Sequence, residues 1–288
     1  MKLALLVSTL AVVCISVPLS GGPAQLIFGG EPAKLGQFPF FAYYEYEVFM
    51  AHSRSACGGV LISPRYILTA AHCTRNMLIP ARAFFGLVDK MQGKAASVQR
   101  VEIADFHTTS TNPRGMEPHD DIAILELEEP VELNDYVQTI KVLHDDEQLL
   151  KGGKATIVGF GQSYFNEEGR AKSGTKLLET QIPIVDHEYC ADAWLKYSTK
   201  TNETAPVVIN ENQICCGAEG KGIGAGDSGG PMLVQVNGEW VVVGVASFGT
   251  HDLKDQQHVV PAIFNRVSPY CDFIANATKN SVKCVHHP

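Results

Sequence analysis

A histidine, an aspartate and a serine in this 288-residue chain sit in contexts that would let them act on one another. They lie in Leu68-Thr69-Ala70-Ala71-His72-Cys73, with Cys57-Gly58-Gly59 just upstream, in Asp121-Ile122-Ala123-Ile124-Leu125, and in Gly226-Asp227-Ser228-Gly229-Gly230-Pro231. A serine hydroxyl is a weak nucleophile near neutral pH and needs a base to take its proton. Taken singly, each stretch has an ordinary reading: a surface or core histidine, an aspartate at a strand end, a glycine-rich turn. All three in the order His, Asp, Ser, about 50 and 100 residues apart, are harder to explain that way. Asp120 rivals Asp121, but Asp121 directly precedes the apolar run.

Holding together side chains so distant in sequence requires a scaffold, and from about residue 27 the sequence describes an all-β one. Apolar stretches at 59–62, 66–71, 122–127, 156–160, 232–236 and 240–245 are short, rich in Val, Ile and aromatic residues, and broken by turn residues. This is the pattern of a sandwich or barrel. Asn237-Gly238, between 234–236 and 239–243, predicts a two-residue hairpin turn. Two segments read as helix: 186–197, and 268–278 with Ser268 as its cap and Pro269 at its first position. A soft boundary falls over 142–153, where His144-Asp145-Asp146-Glu147 precedes two glycines.

The chain is 45% apolar and 19% charged, with a net charge of −8. That balance argues against nucleic acid as a partner, because phosphate binding needs a basic surface. No basic run suggests attachment to an anionic membrane. Lys2 is followed by an apolar run from Leu3 to Val13 and then by small residues. The run is shorter than the roughly 20 residues a membrane helix needs, so residues 1–20 are expected to be a removable signal peptide and the protein to be secreted. Cys14 would leave with it. The remaining seven cysteines read as a disulfide framework with one thiol left over. There is no paired CxxC arrangement, so neither a zinc site nor any other metal or cofactor is expected.

Together these stretches make the chain resemble the chymotrypsin-like (trypsin-like) serine protease family from Ile27 to the end. Chain order separates it from subtilisin-like and α/β-hydrolase triads. The resemblance implies two packed six-stranded antiparallel Greek-key β-barrels and a C-terminal helix, the first barrel over about 27–142 and the second, with the helix, over about 143–288. His72 and Asp121 would lie on the first barrel and Ser228 on the second. His72 would act as base and then acid, Asp121 would fix its tautomer, and the N–H groups of Gly226 and Ser228 would form the oxyanion hole.

The resemblance carries further implications. Ile27-Phe28-Gly29-Gly30 is similar to the N-terminus such enzymes expose on activation, with 21–26 as a short propeptide and Asp227 as the partner of the freed amine. Phe28 stands where valine is usual. Leu26 replaces the usual basic residue, which points to a chymotrypsin-like activator or to self-cleavage. The S1 pocket would have Gly222 at its base, Ser247, Phe248, Gly249 and Ala262 as walls, and Ile223 as added apolar surface. Lacking a carboxylate at Gly222, it would take Leu, Met, Phe or smaller apolar side chains, unless the segment 250–260 delivers Asp252 or Asp255. Cys57–Cys73 and Cys190–Cys215 are the implied bridges. Cys271–Cys284 is a third, if the helix breaks near Asn280, with Cys216 either free or bridged to Cys284. Asn202 and Asn276 fit glycosylation sequons, and no calcium loop is evident at 86–95. His286 and His287 read as a frayed tail. The expected partners are protein or peptide substrates, protein protease inhibitors and an activating protease, acting on a monomer. The rival is a catalytically silent homologue serving as a binding or regulatory protein.

Overall fold

The computed structural model describes residues 27–49, 53–109, 119–165, 171–201, 206–250 and 256–286. The expected signal peptide and propeptide, Leu26, Asn202, Asp252, Asp255 and His287 lie outside them. In chain order the strands are β1 (Glu31–Pro32), β2 (Phe41–Val48), β3 (Ser53–Ser63), β4 (Tyr66–Thr69), β5 (Ala81–Phe85), β6 (Gln99–Thr108), β7 (Ala123–Leu127) and β8 (Lys141–Val142), then β9 (Lys154–Gly159), β10 (Gln162–Phe165), β11 (Ala171–Ser173), β12 (Leu178–Val185), β13 (Gln213–Cys216), β14 (Pro231–Val236), β15 (Glu239–Phe248) and β16 (Ala262–Arg266). The α-helices are α1 (Glu147–Leu150), α2 (His187–Lys200) and α3 (Cys271–Ala277).

Strands β2 to β7 close into one barrel in the order β2-β3-β4-β7-β6-β5. A second closes through β12-β13-β16-β15-β14-β9, with β9 returning to β12. Both are antiparallel six-stranded barrels, as the resemblance implied. Closure leaves no free strand edge in either. Alternation shows why: in β5, Ala81, Ala83 and Phe85 are buried while Arg82 is exposed, and in β12, Leu178, Thr180, Ile182 and Ile184 point inward. Tyr44, Leu61, Ile67, Leu68, Phe85, Ile103, Ile124 and Leu125 are fully buried in the first barrel. Each such aliphatic or Phe side chain contributes about 1.5–3 kcal/mol. The Asn237-Gly238 hairpin is present, both residues at positive φ (51° and 85°), with Val236 opposite Glu239.

The first barrel's core runs on across the interface to residues of the second, which also has a core of its own. Phe160 of the second packs against Phe41 and Tyr43 of the first at centroid distances of 5.9 and 5.3 Å, and Phe38 meets Trp240 at 5.6 Å. The soft boundary becomes the bridge between them, where β8 pairs in parallel with β15.

Two readings are corrected. The second helix starts as a 3-10 turn at Ser268–Tyr270, and the Ser268 hydroxyl does not cap it but donates to Asp146 at 2.9 Å, beside Arg266 on the same carboxylate. Asp186, by contrast, caps α2 by accepting from the Tyr189 N–H at 3.0 Å. The tail is not frayed at His286: Val285 exchanges backbone bonds with Val142 and His144, and His286 stacks on His144 at 5.0 Å. Within 86–95, Asp89 is paired with Lys176 at 2.8 Å, a cation from the chain itself.

Candidate active site

His72 lies in a short 3-10 turn directly after β4, and Asp121 two residues before β7. Because β4 and β7 are paired, Thr69 lies opposite Ala123, which brings the two residues to the same end of the barrel. The Asp121 Oδ2 is 2.7 Å from His72 Nδ1, while Oδ1 accepts from the His72 backbone N–H at 2.7 Å. The Ser247 hydroxyl donates to Oδ2 from the second barrel at 2.5 Å. Burial pushes the Asp121 carboxyl up, but the field of His72 and these hydrogen bonds outweigh it and hold it below the usual carboxylate range. Asp121 is therefore a buried, ionised acceptor, and His72 is one-third exposed with Nδ1 committed to it. Asp120 takes the Tyr270 hydroxyl at 2.6 Å, a structural role that leaves Asp121 as the partner of His72.

Ser228 reaches this place through backbone. Its carbonyl accepts from the Gly58 N–H at 2.8 Å, and Cys57, next in the chain, is disulfide-bonded to Cys73, the neighbour of His72. One hydrogen bond and one disulfide thus tie the serine loop to the histidine turn. The Thr69 hydroxyl donates to the Gly58 carbonyl and pairs with Tyr44, bracing the same junction. The loop itself is tightly wound: Asp227 N–H donates to Gly224, Gly230 N–H to Asp227 and Gly229 N–H to Ala246. These turns leave the N–H groups of Gly226 and Ser228 outside them. Gly226 sits at φ 99°, which no β-carbon would tolerate without strain.

Asp227 is buried. It accepts from Gly161 N–H at 2.7 Å and Gly224 N–H at 2.8 Å. Burial pushes its carboxyl up to about 6, against the pull of those bonds and of Lys90. A Cβ at Gly159 or Gly161 would overlap this carboxylate, at 2.0 and 2.4 Å. Ile27 is fully buried in the second-barrel core together with Ile223, and the Phe28 carbonyl accepts from Gly222 N–H at 3.3 Å. The segments at 27–30 and 222–223 are therefore joined.

Gly222, Ile223, Ser247, Gly249 and Ala262 gather on the second barrel, β15 and β16 being paired. The Phe248 ring packs edge-on against Trp194 of α2 at 5.1 Å, which leaves its backbone for the expected wall. Sequence reading missed Gln257, whose amide occupies the space above Gly222, and the hydroxyl of Ser247. It also missed Lys90, which lies over the rings of Tyr43 and Phe160. Both implied disulfides are present, and so is the conditional third, Cys271–Cys284. Cys216 is a free buried thiol, pushed up by burial. Cys57, His72 and Cys73 have clustered sulfur and nitrogen atoms, but both sulfurs are spent in the bridge. Asn276 is exposed on α3. Among the described residues no helix is long and apolar enough to cross a membrane.

A buried carboxylate on an imidazole, a serine tied to the same junction and two closed barrels define the chymotrypsin-like fold with a serine hydrolase constellation. The family model described as Trypsin matches residues 27–274, and the chain belongs to that family. It is 30% identical to the CLIP domain-containing serine protease B9 of Anopheles gambiae over 88% of this chain and 63% of the relative, so it spans less than two thirds of that protein's length. It is 29% identical to the venom peptide isomerase heavy chain of Agelenopsis aperta, over 86% of this chain and 98% of that one. Among solved structures, HL collagenase superposes with a TM-score of 0.71 at 28% identity, covering 88% of this chain and 99% of that one.

Proposed function

We propose that the protein is a secreted serine endopeptidase, made as a zymogen, that cleaves peptide bonds through an acyl-enzyme on Ser228. The observation that carries this is the His72–Asp121 pair at 2.7 Å, its carboxylate also held by the His72 N–H and by Ser247. In this reading the Ser228 hydroxyl adds to the substrate carbonyl carbon while its proton passes to His72 Nε2. The oxyanion is received by the N–H groups of Gly226 and Ser228. His72 then protonates the leaving amine, and water repeats the sequence to release the acid. Cleavage after Leu26 would free Ile27 as the amine that meets Asp227. With Gly222 rather than an acidic residue at the pocket base, apolar P1 side chains are favoured over Lys or Arg, whose charge would find no carboxylate at that position. The protease names among the relatives support protein substrates; protein inhibitors and an activating protease are the other expected partners.

A fluorophosphonate probe tests the chemistry. Protein cut before Ile27 is expected to be labelled at Ser228 and to hydrolyse peptides, and Asp121→Asn is expected to lower kcat by about 10⁴. Cut, folded protein that neither labels nor hydrolyses would instead support the silent homologue.

A further inference from the structure

We propose that Gln257 closes the S1 pocket at a shallow level and restricts P1 to small side chains, alanine, valine or similar. The inference rests on the pocket assignment above. Gln257 follows the stretch 251–255 in sequence but is itself almost wholly buried, 1% exposed. Its amide grips one residue from both sides: Oε1 accepts from the Ile223 N–H at 3.0 Å, and Nε2 donates to the Ile223 carbonyl at 2.7 Å. This holds the side chain over Gly222, where an added Cβ would lie 2.0 Å from Oε1. Gly222 is thus glycine because glutamine occupies the volume its side chain would need. The pocket base is an amide carried in from a distant loop.

The width follows from the opposite wall. A Cβ built on Gly249 would stand 3.8 Å from Gln257 Nε2 and 3.9 Å from Ile223 Cγ1. A Cα–Cβ bond is about 1.5 Å, comparable to other backbone single bonds, so both atoms lie within roughly 5.5 Å of the Gly249 Cα. An aromatic ring or a methyl group needs about 3.5 Å to the atoms on each side, some 7 Å in all. A ring therefore does not fit between the Gly249 Cα and these two atoms. Gly249 is two residues beyond Ser247, which bonds Asp121, and two residues of strand span about 7 Å. The closure therefore lies close to the catalytic centre, and a P1 side chain must end above it.

The test is a set of peptide substrates differing only at P1, assayed on cut wild-type protein and on Gln257→Ala and Gln257→Ser. Wild type is expected to prefer Ala or Val over Phe by at least tenfold in kcat/KM. Both variants are expected to raise the Phe to Ala ratio of kcat/KM at least tenfold. A wild type that prefers Phe, or variants with an unchanged Ala to Phe ratio, would overturn the assignment. A readout independent of turnover is NMR titration of the Ser228→Ala protein with acetylated tetrapeptide acids ending in Ala or Phe. Tighter binding of the Ala peptide, lost when Gln257→Ala is added, supports the pocket floor even if no peptide is cleaved. In that case the protease reading fails and this one stands. Equal binding in both proteins overturns the floor while leaving the chemistry intact.

Discussion

At the scale of single residues, the carboxylate on the His72 ring is distinguished by how it is held. Asp121 has a near neighbour, Asp120, of identical chemistry. What separates them is that Asp120 is spent on Tyr270 while Asp121 collects the His72 ring, the His72 N–H and Ser247. The Ser247 bond crosses from the second barrel to the first, so it also registers the barrels at the site. A hydrogen bond to a charged acceptor contributes about 1.5–3 kcal/mol. Ser247→Ala would leave Oδ2 with His72 alone and the carboxylate less firmly placed. The expected result is a kcat lower by about tenfold with KM changed less than about twofold, and recovery of most of the loss in Ser247→Thr, which keeps the hydroxyl. Steady-state kinetics on the two variants check this; an unchanged kcat in Ser247→Ala would reduce Ser247 to packing.

At the scale of elements, the termini of helices and strands decide what the chain can bridge. Helix α3 is followed by Lys279 and Asn280 at φ 55° and 62°, which turn the chain back and leave the Cys271 and Cys284 Cα atoms 5.7 Å apart. The left-handed region costs an L-residue about 1–2 kcal/mol, least for Asn or Gly. Asn280→Val is therefore expected to lower stability by about 1–2 kcal/mol in urea unfolding, and Asn280→Gly to change it by less than about 0.5. The same elements show what a sequence discloses. The His, Asp and Ser stretches, the hairpin at Asn237-Gly238 and the helix at 187–200 are legible because each is a local pattern. Ser268 was misread because a serine before a proline looks like a cap, whereas its hydroxyl is drawn to Asp146 from a distant segment. Gln257 gave no signal at all. Its role depends on a loop path that places it over Gly222, and no periodicity or spacing encodes that path. The side to which the Phe248 ring turns was not legible either: it faces Trp194, since a strand residue has two faces and the helix covers one.

At the scale of the whole molecule, the uncut chain carries two uncompensated features at one place. Ile27, a β-branched residue, sits at φ 36°, a conformation an L side chain rarely adopts. Asp227 is buried with its carboxyl raised to about 6 from an ordinary 3.8, and the cation whose field reaches it is Lys90, itself lowered mainly by burial. A raised acid binds its proton more tightly folded than unfolded, so between about pH 4 and 6 the native state holds more protons. Stability from this group therefore falls as pH rises through that window and stays low above it, by about 3 kcal/mol for two pK units. Cleavage before Ile27 would remove both features: a terminal residue has no preceding carbonyl to fix φ, and its ammonium would supply Asp227 with a counter-charge. Asp227→Asn separates these effects. Uncut, the variant is expected to gain on wild type by up to about 3 kcal/mol as pH is raised from 4 to 7. Cut, it is expected to lose on wild type at pH 7 and to retain little activity, because the amine then has no partner and the oxyanion turn is left unanchored. Chemical denaturation of cut and uncut protein at both pH values reads each sign. Full activity in cut Asp227→Asn would remove the Ile27–Asp227 switch, while a variant that fails to gain on wild type as pH rises would place the buried charge elsewhere.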